Sequence, residues 1–170
     1  IAIGTALLAS AGVGALNATM TRAFRVHPFI ATLATMLSLK GVSLVITRGA
    51  PVAGFPESFA FLGHGRILEL PVALVLFAVL AVAVGSVLAH HRYGQQVYLI
   101  GGNVRAARLS GVKVDRVLLA VYVLSSSLAG LAGIVAASQY VSASTGFGQN
   151  SELRVITAVA IGGASLNGGT

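Results

Sequence analysis

The chain has 170 residues, of which 56% are hydrophobic and only 9% charged, and its net charge is +7. A soluble domain usually carries about 25% charged residues, so this composition leaves too few polar side chains to cover a water-facing surface. The absence of cysteine also excludes disulfides and thiolate metal sites. An apolar exterior is stable in lipid, and we therefore expect an integral membrane protein.

Four apolar runs are long enough to cross a bilayer, which takes roughly 20 helical residues. They predict spans at about 1–20, 28–47, 67–89 and 117–138. A fifth run begins near Leu153 and passes into the small-residue segment 162–169, so it is expected to be partial or broken. The predicted fold is an all-α polytopic bundle of about four full spans and a partial fifth. Residues 1–170 are expected to form a single transmembrane domain, a fragment of a longer chain truncated at both ends.

Basic residues are distributed unequally between the two sides of this predicted bundle. The linkers after the first and third spans carry seven, namely Arg22, Arg25, Arg92, Arg105, Arg108, Lys113 and Arg116. The opposite side carries three, namely Arg48, Arg66 and Arg154. Because Lys and Arg concentrate in cytoplasmic loops, segment 91–116 is predicted to be cytoplasmic. Since the charge lies in short loops between apolar runs, topology explains it and no nucleic-acid partner is expected.

A short helix is predicted inside segment 91–116. Asn103 is a good N-cap and Gly111 a good C′ residue, and the residues between them mostly favour helix. A helix of two turns is too short to be stable alone in water, so its own bundle or a partner must hold it. Arg105 and Arg108 give this helix a polar side. Small apolar contacts come from Ala106, Ala107 and Leu109.

Several segments resemble, in the right order, the permeases of ribose-type monosaccharide ABC importers. Segment 101–112, GGNVRAARLSGV, is similar to the cytoplasmic loop of that family. The other similar segments are PFIATLATM (28–36), FAFLG (59–63) with Pro71 and Val72, LAGLAGI (128–134) and AVAIGGASLNGG (158–169).

The resemblance implies a subunit of a binding-protein-dependent sugar importer in the bacterial inner membrane. A cytoplasmic ABC ATPase would bind the short helix, and a periplasmic or extracellular binding protein would deliver the sugar. A second permease subunit, identical or different, would complete the translocation path within the lipid. The chain would not be an enzyme, because it has no Walker A pattern and a partner would hydrolyse ATP. The residues implied in ATPase coupling are Gly102, Asn103, Arg105, Ala106, Ala107, Arg108, Leu109, Ser110 and Gly111.

Polar side chains inside the predicted spans are candidates for the sugar path, because a sugar needs convergent hydrogen bonds and intramembrane polar groups are costly. The alternative for Ser and Thr is a hydrogen bond to a carbonyl of their own helix. The candidates are Asn17, Thr32, Thr35 and Ser126.

Two other classes of protein are alternatives to the permease. An ion-gradient-driven secondary transporter is the alternative, but such proteins tend to show internal repeats and midplane charges. No clear repeat appears, and the one acidic residue within a predicted span, Glu69, is at its outer end. An intramembrane enzyme would need a catalytic constellation, and the nearest approach is Lys40 with Ser38 or Ser43. The neighbouring His90 and His91 point in different directions on a helix, so they are poor joint ligands for a metal. No metal, cofactor or catalytic residue is expected.

Overall fold

The computed structural model describes residues 2–24, 26–67 and 69–163. Most of them are helical. The helices are α1 (Ala2–Ala23), α2 (Pro28–Thr47), α3 (Glu57–His64), α4 (Val72–His90), α5 (Arg92–Gly102), α6 (Val104–Leu109), α7 (Val114–Tyr140) and α8 (Ser151–Ile161). Four strands of two residues each are β1 (Val52–Ala53), β2 (Arg66–Ile67), β3 (Leu70–Pro71) and β4 (Ser142–Ala143).

Four of these helices are long and apolar enough to span a bilayer. They are α1, α2, α4 and α7, with 22, 20, 19 and 27 residues. The predicted all-α polytopic fold is therefore confirmed. The predicted fifth span corresponds in the described residues to α8, which has 11 residues, and the rest of its small-residue segment lies outside the described residues.

The third span begins later than predicted. Strands β2 and β3 pair in an antiparallel arrangement, with Arg66 opposite Pro71 and Ile67 opposite Leu70. Glu69, directly before β3, has a φ of 66°, which a helix cannot accommodate. The helix therefore starts at Val72, and Pro71 lies in β3 rather than in the first helical turn.

One compact unit comprises residues 1–78 and 119–147. Within it, α1 and α7 approach closely through small residues. A methyl group added to Gly14 would lie 2.6 Å from the carbonyl oxygen of Tyr122 and 2.9 Å from Cβ of Ser126. A methyl group added to Gly130 would lie 2.7 Å from Cβ of Ser10. The contacts 14–126 and 10–130 show that the two helices are antiparallel, and small residues at such contacts are typical of membrane helix packing.

The segments that follow α2 and α7 meet at one end of this unit. Val52 pairs with Ala143 in the two-stranded sheet of β1 and β4. The hydroxyl of Ser138, which is 0% exposed, donates a hydrogen bond of 2.5 Å to the carbonyl oxygen of Phe59 in α3. The loop after the second span and the segment after the fourth therefore lie on the same side, as the predicted orientation requires.

The second compact unit comprises residues 79–118 and 148–170. Its core joins α5, α6 and the start of α7. The buried members are Ile100, Ala107, Val114 and Val117, and the half-buried Val97 and Val112 pack against them.

Candidate coupling site and polar residues of the spans

Asn103 separates the two short helices of the second unit. Its backbone N–H donates to the carbonyl oxygen of Leu99 at 3.0 Å and so ends α5. Its side-chain oxygen accepts hydrogen bonds from the backbone N–H groups of Arg105 at 2.9 Å and Ala106 at 3.1 Å, which begins α6. The predicted N-cap is therefore present, and two N–H groups that lack an intrahelical partner are satisfied by one side chain.

The other end of α6 is closed by a Schellman motif. Gly111 has a φ of +79° and donates its N–H to the carbonyl oxygen of Arg108 at 3.0 Å. Val112 donates its N–H to the carbonyl oxygen of Ala107, also at 3.0 Å. The hydroxyl of Ser110 adds a bond of 3.0 Å to the carbonyl oxygen of Ala106. Both ends of the predicted helix are thus fixed by local hydrogen bonds.

The two sides of α6 have different environments. Ala107 is 1% exposed and belongs to the core of the second unit. Leu109 is 90% exposed, and Ala106, Arg105 and Arg108 are exposed too. The small apolar residues of α6 therefore have different roles. Ala107 packs the helix against its own chain, whereas Leu109 and the basic side chains remain accessible.

Helix α5 was not predicted from the sequence. It begins after His91, whose ring nitrogen accepts a hydrogen bond from the N–H of Tyr93 at 3.3 Å. Its inward residues are Gly94, Val97 and Ile100, which are three positions apart. That spacing is the signal for this helix in the sequence, but it is short and lies between a charged stretch and two glycines. The helix matters because α6 packs against it.

Two of the four candidate path residues contact each other. Asn17 of α1 and Thr35 of α2 are each 7% exposed, and the Thr35 hydroxyl lies 2.6 Å from the Asn17 side-chain oxygen. The Thr35 hydroxyl also lies 3.0 Å from the carbonyl oxygen of Ala31 in its own helix. Both residues were candidates from the sequence, but the sequence did not predict that their side chains would contact each other.

The other two candidates have different environments. The Thr32 hydroxyl lies 3.0 Å from the carbonyl oxygen of Pro28 and 3.1 Å from that of Phe29, so it bonds within its own helix. Ser126 is half-buried and faces Gly14 at the close approach of α1 and α7. The structure therefore does not bring the four candidates together into one cluster.

Four apolar spans with a short, doubly capped helix between the third and the fourth define a polytopic α-helical membrane protein. A sequence model of the family described as "Branched-chain amino acid transport system / permease component" matches residues 1–170. The chain belongs to this permease family. Family membership and the apolar helices together make it a multi-pass protein of the bacterial inner membrane.

Several curated proteins are similar to this chain. The ribose import permease protein RbsC of Escherichia coli K12 is 40% identical over 99% of this chain and 54% of its own length. RbsC of Bacillus subtilis 168 is 43% identical over 85% of this chain and 46% of its own length. The D-allose permease AlsC of Escherichia coli K12 is 32% identical over 96% of this chain and 50% of its own length. The chain thus spans about half the length of these relatives, and no solved structure matches it.

Proposed function

We propose that this chain is part of the membrane-spanning permease of an ATP-driven sugar importer, in which α6 binds a cytoplasmic ABC ATPase. The observation that carries the proposal is the division of α6 into a buried side at Ala107 and an accessible side at Leu109. A coupling element needs both, because it must be attached to the spans and exposed to the partner at the same time.

Attachment to the spans runs through the core of the second unit. Ala107 shares this core with Val114 and Val117 in the first turn of α7. Residues 110–113 alone connect the two helices, and Val112 packs against the same core. Because packed cores resist continuous deformation, a displacement of α6 is transmitted to the start of α7. This supports a mechanical role for α6 in the opening of the path.

The accessible side of α6 fits a protein partner. Leu109 is the side chain whose burial in a cleft would contribute most apolar area, roughly 1.5–3 kcal/mol if it were fully covered. Arg105 and Arg108, three positions apart, flank it with positive charge. Such an apolar centre with a charged rim is the usual anatomy of a specific interface. We infer that the ATPase cleft is apolar at its base and acidic at its edge.

Sugar is the solute class we propose, on the basis of the relatives. Their names specify ribose, D-allose and, in a further relative from Escherichia coli K12, L-arabinose. Among the path candidates, Asn17 and Thr35 are the pair best suited to contact a sugar. Their mutual contact involves the carbonyl oxygen of Asn17, so the amide donors of Asn17 are the groups we assign to a sugar hydroxyl. A second permease subunit and a binding protein complete the proposed assembly.

Reconstitution tests the proposal. The full-length permease would be placed in proteoliposomes with its ATPase and binding protein, and uptake of radiolabelled ribose, D-allose and L-arabinose would be measured. We expect uptake of at least one of these sugars with ATP on the ATPase side, no uptake with a non-hydrolysable analogue, and no effect of a protonophore. Uptake that follows an imposed ion gradient without ATP would instead establish the secondary-transporter alternative.

A further inference from the structure

A cationic cleft lies beside α6 in the second unit, and its charged side chains have no part in the proposed coupling role. The cleft has a volume of about 430 Å³ and lies entirely within residues 91–117. Its cations are Arg92, Lys113 and Arg116. No acidic side chain is among the residues that line it, and Asp115, the one acidic residue of segment 91–116, is not part of its wall.

The three cations lie at the ends of two spans. Arg92 follows two positions after His90, the last residue of α4. Lys113 directly precedes α7, and Arg116 is in its first turn. Side chains at such positions lie at the depth of lipid headgroups. Three like charges in one cleft repel one another, and an anion held between them removes that repulsion.

Aromatic and polar groups complete the cleft. The rings of His91 and Tyr93 stack with their centroids 5.2 Å apart and their planes within 6°. Tyr93 is exposed, as aromatic residues of the membrane interface commonly are. Gln96 is half-buried in the same wall and adds a hydrogen-bonding amide. The volume lies within the range of about 300–1,000 Å³ that small-molecule sites usually have.

We propose that this cleft binds the phosphate headgroup of an anionic phospholipid of the cytoplasmic leaflet. The placement of the cations at headgroup depth favours a lipid over a soluble phosphate, and the cytoplasmic leaflet supplies the negative charge. The inference rests on the predicted inward orientation of segment 91–116, and it is independent of the transported solute. A bound lipid would tie together α5 and the start of α7, the two elements on which α6 depends.

Native mass spectrometry of the full-length permease tests this proposal, with phosphatidylglycerol and phosphatidylcholine of matched chains as probes. Arg92→Gln with Arg116→Gln removes two charges from two walls of the cleft. Arg105→Gln with Arg108→Gln is the matched control, because it removes two charges of the same segment that lie outside the cleft. We expect the cleft variant to lose phosphatidylglycerol affinity by about tenfold, and the control by less than about twofold.

Three results would overturn the proposal. The first is equal binding of the two lipids by the unmodified protein. The second is an equal loss of phosphatidylglycerol in both variants, which would indicate general attraction to the basic segment. The third is displacement of the lipid by inorganic phosphate at the concentration of the lipid, which would identify a site for a soluble anion. None of these results depends on sugar uptake, so this proposal and the transport proposal fail separately.

Discussion

Val112 closes the short helix α6 by donating its backbone N–H to the carbonyl oxygen of Ala107, at 3.0 Å. Ala107 is also a member of the core that joins α6 to α5 and α7, and Val112 packs against that core. Hydrogen bonding and apolar packing therefore coincide at the end of α6 that faces the fourth span. Together they hold α6 rigidly against its own chain, although this helix has only six residues.

Gly111→Ala is expected to loosen this end of α6. An added methyl group would meet no atom within 4 Å, so the substitution causes no steric clash. The loss of stability comes only from the φ of +79° and amounts to about 1 kcal/mol. In hydrogen–deuterium exchange of the full-length permease, the amide of Val112 should exchange about fivefold faster. Gly102→Ala is the control, because Gly102 also has open space around it but no positive φ. Equal acceleration in the two variants would show that the left-handed conformation is not what closes α6.

Thr35→Val should destabilise the permease by about 1 kcal/mol, because it removes the hydrogen bond to the buried Asn17. Thr32→Val makes the same chemical change three residues away, where the hydroxyl bonds only to carbonyls of its own helix. We expect it to cost less than about 0.5 kcal/mol. Titration with sodium dodecyl sulfate measures both unfolding free energies. A Thr32 variant as unstable as the Thr35 variant would disprove the special role of the Asn17–Thr35 contact.

Gly14→Ala should destabilise the packing of α1 against α7 by about 1–3 kcal/mol, because the methyl group meets the backbone of Tyr122 and the side chain of Ser126. Gly12→Ala, two residues earlier in the same helix, meets nothing within 4 Å. Since Ala favours helix over Gly, this control should be neutral or slightly stabilising. The comparison uses thermal unfolding of the two full-length variants in detergent. Equal melting temperatures would contradict the close approach of α1 and α7.

Much of the fold could be predicted because its signals are local. Apolar runs of about 20 residues identify spans without knowledge of their neighbours. Helix α6 was predictable for a similar reason, since Asn103 and Gly111 make their capping bonds within a few residues. The role of α6 in ATPase coupling, by contrast, came from resemblance and stays a prediction.

The features that were missed depend on contacts between elements. Helix α5 has only Gly94, Val97 and Ile100 facing inward, and its stability comes from packing against α6 and α7. The pairing of Asn17 with Thr35 depends on the register between two helices, which residue types alone do not define. The cleft beside α6 was not predicted for the same reason, because its walls come from α5, from the segment after α6 and from α7.

Binding of the ATPase to α6 is tested most directly at Leu109. Ala107→Pro would break α6, but Ala107 is 1% exposed, so proline would also disturb the core. Leu109 is 90% exposed, and Leu109→Ser leaves that core intact. Leu99→Ser is the matched control, because Leu99 is 53% exposed in the same basic segment but outside α6.

The decisive measurement is the dissociation constant between the full-length permease and its ATPase for these two variants in detergent. Leu109→Ser should weaken binding by at least about tenfold, as expected for the apolar centre of an interface, and Leu99→Ser by less than about twofold. Unchanged affinity of the Leu109 variant, or an equal loss in both, would contradict the assignment of α6 as the helix through which the ATPase drives transport.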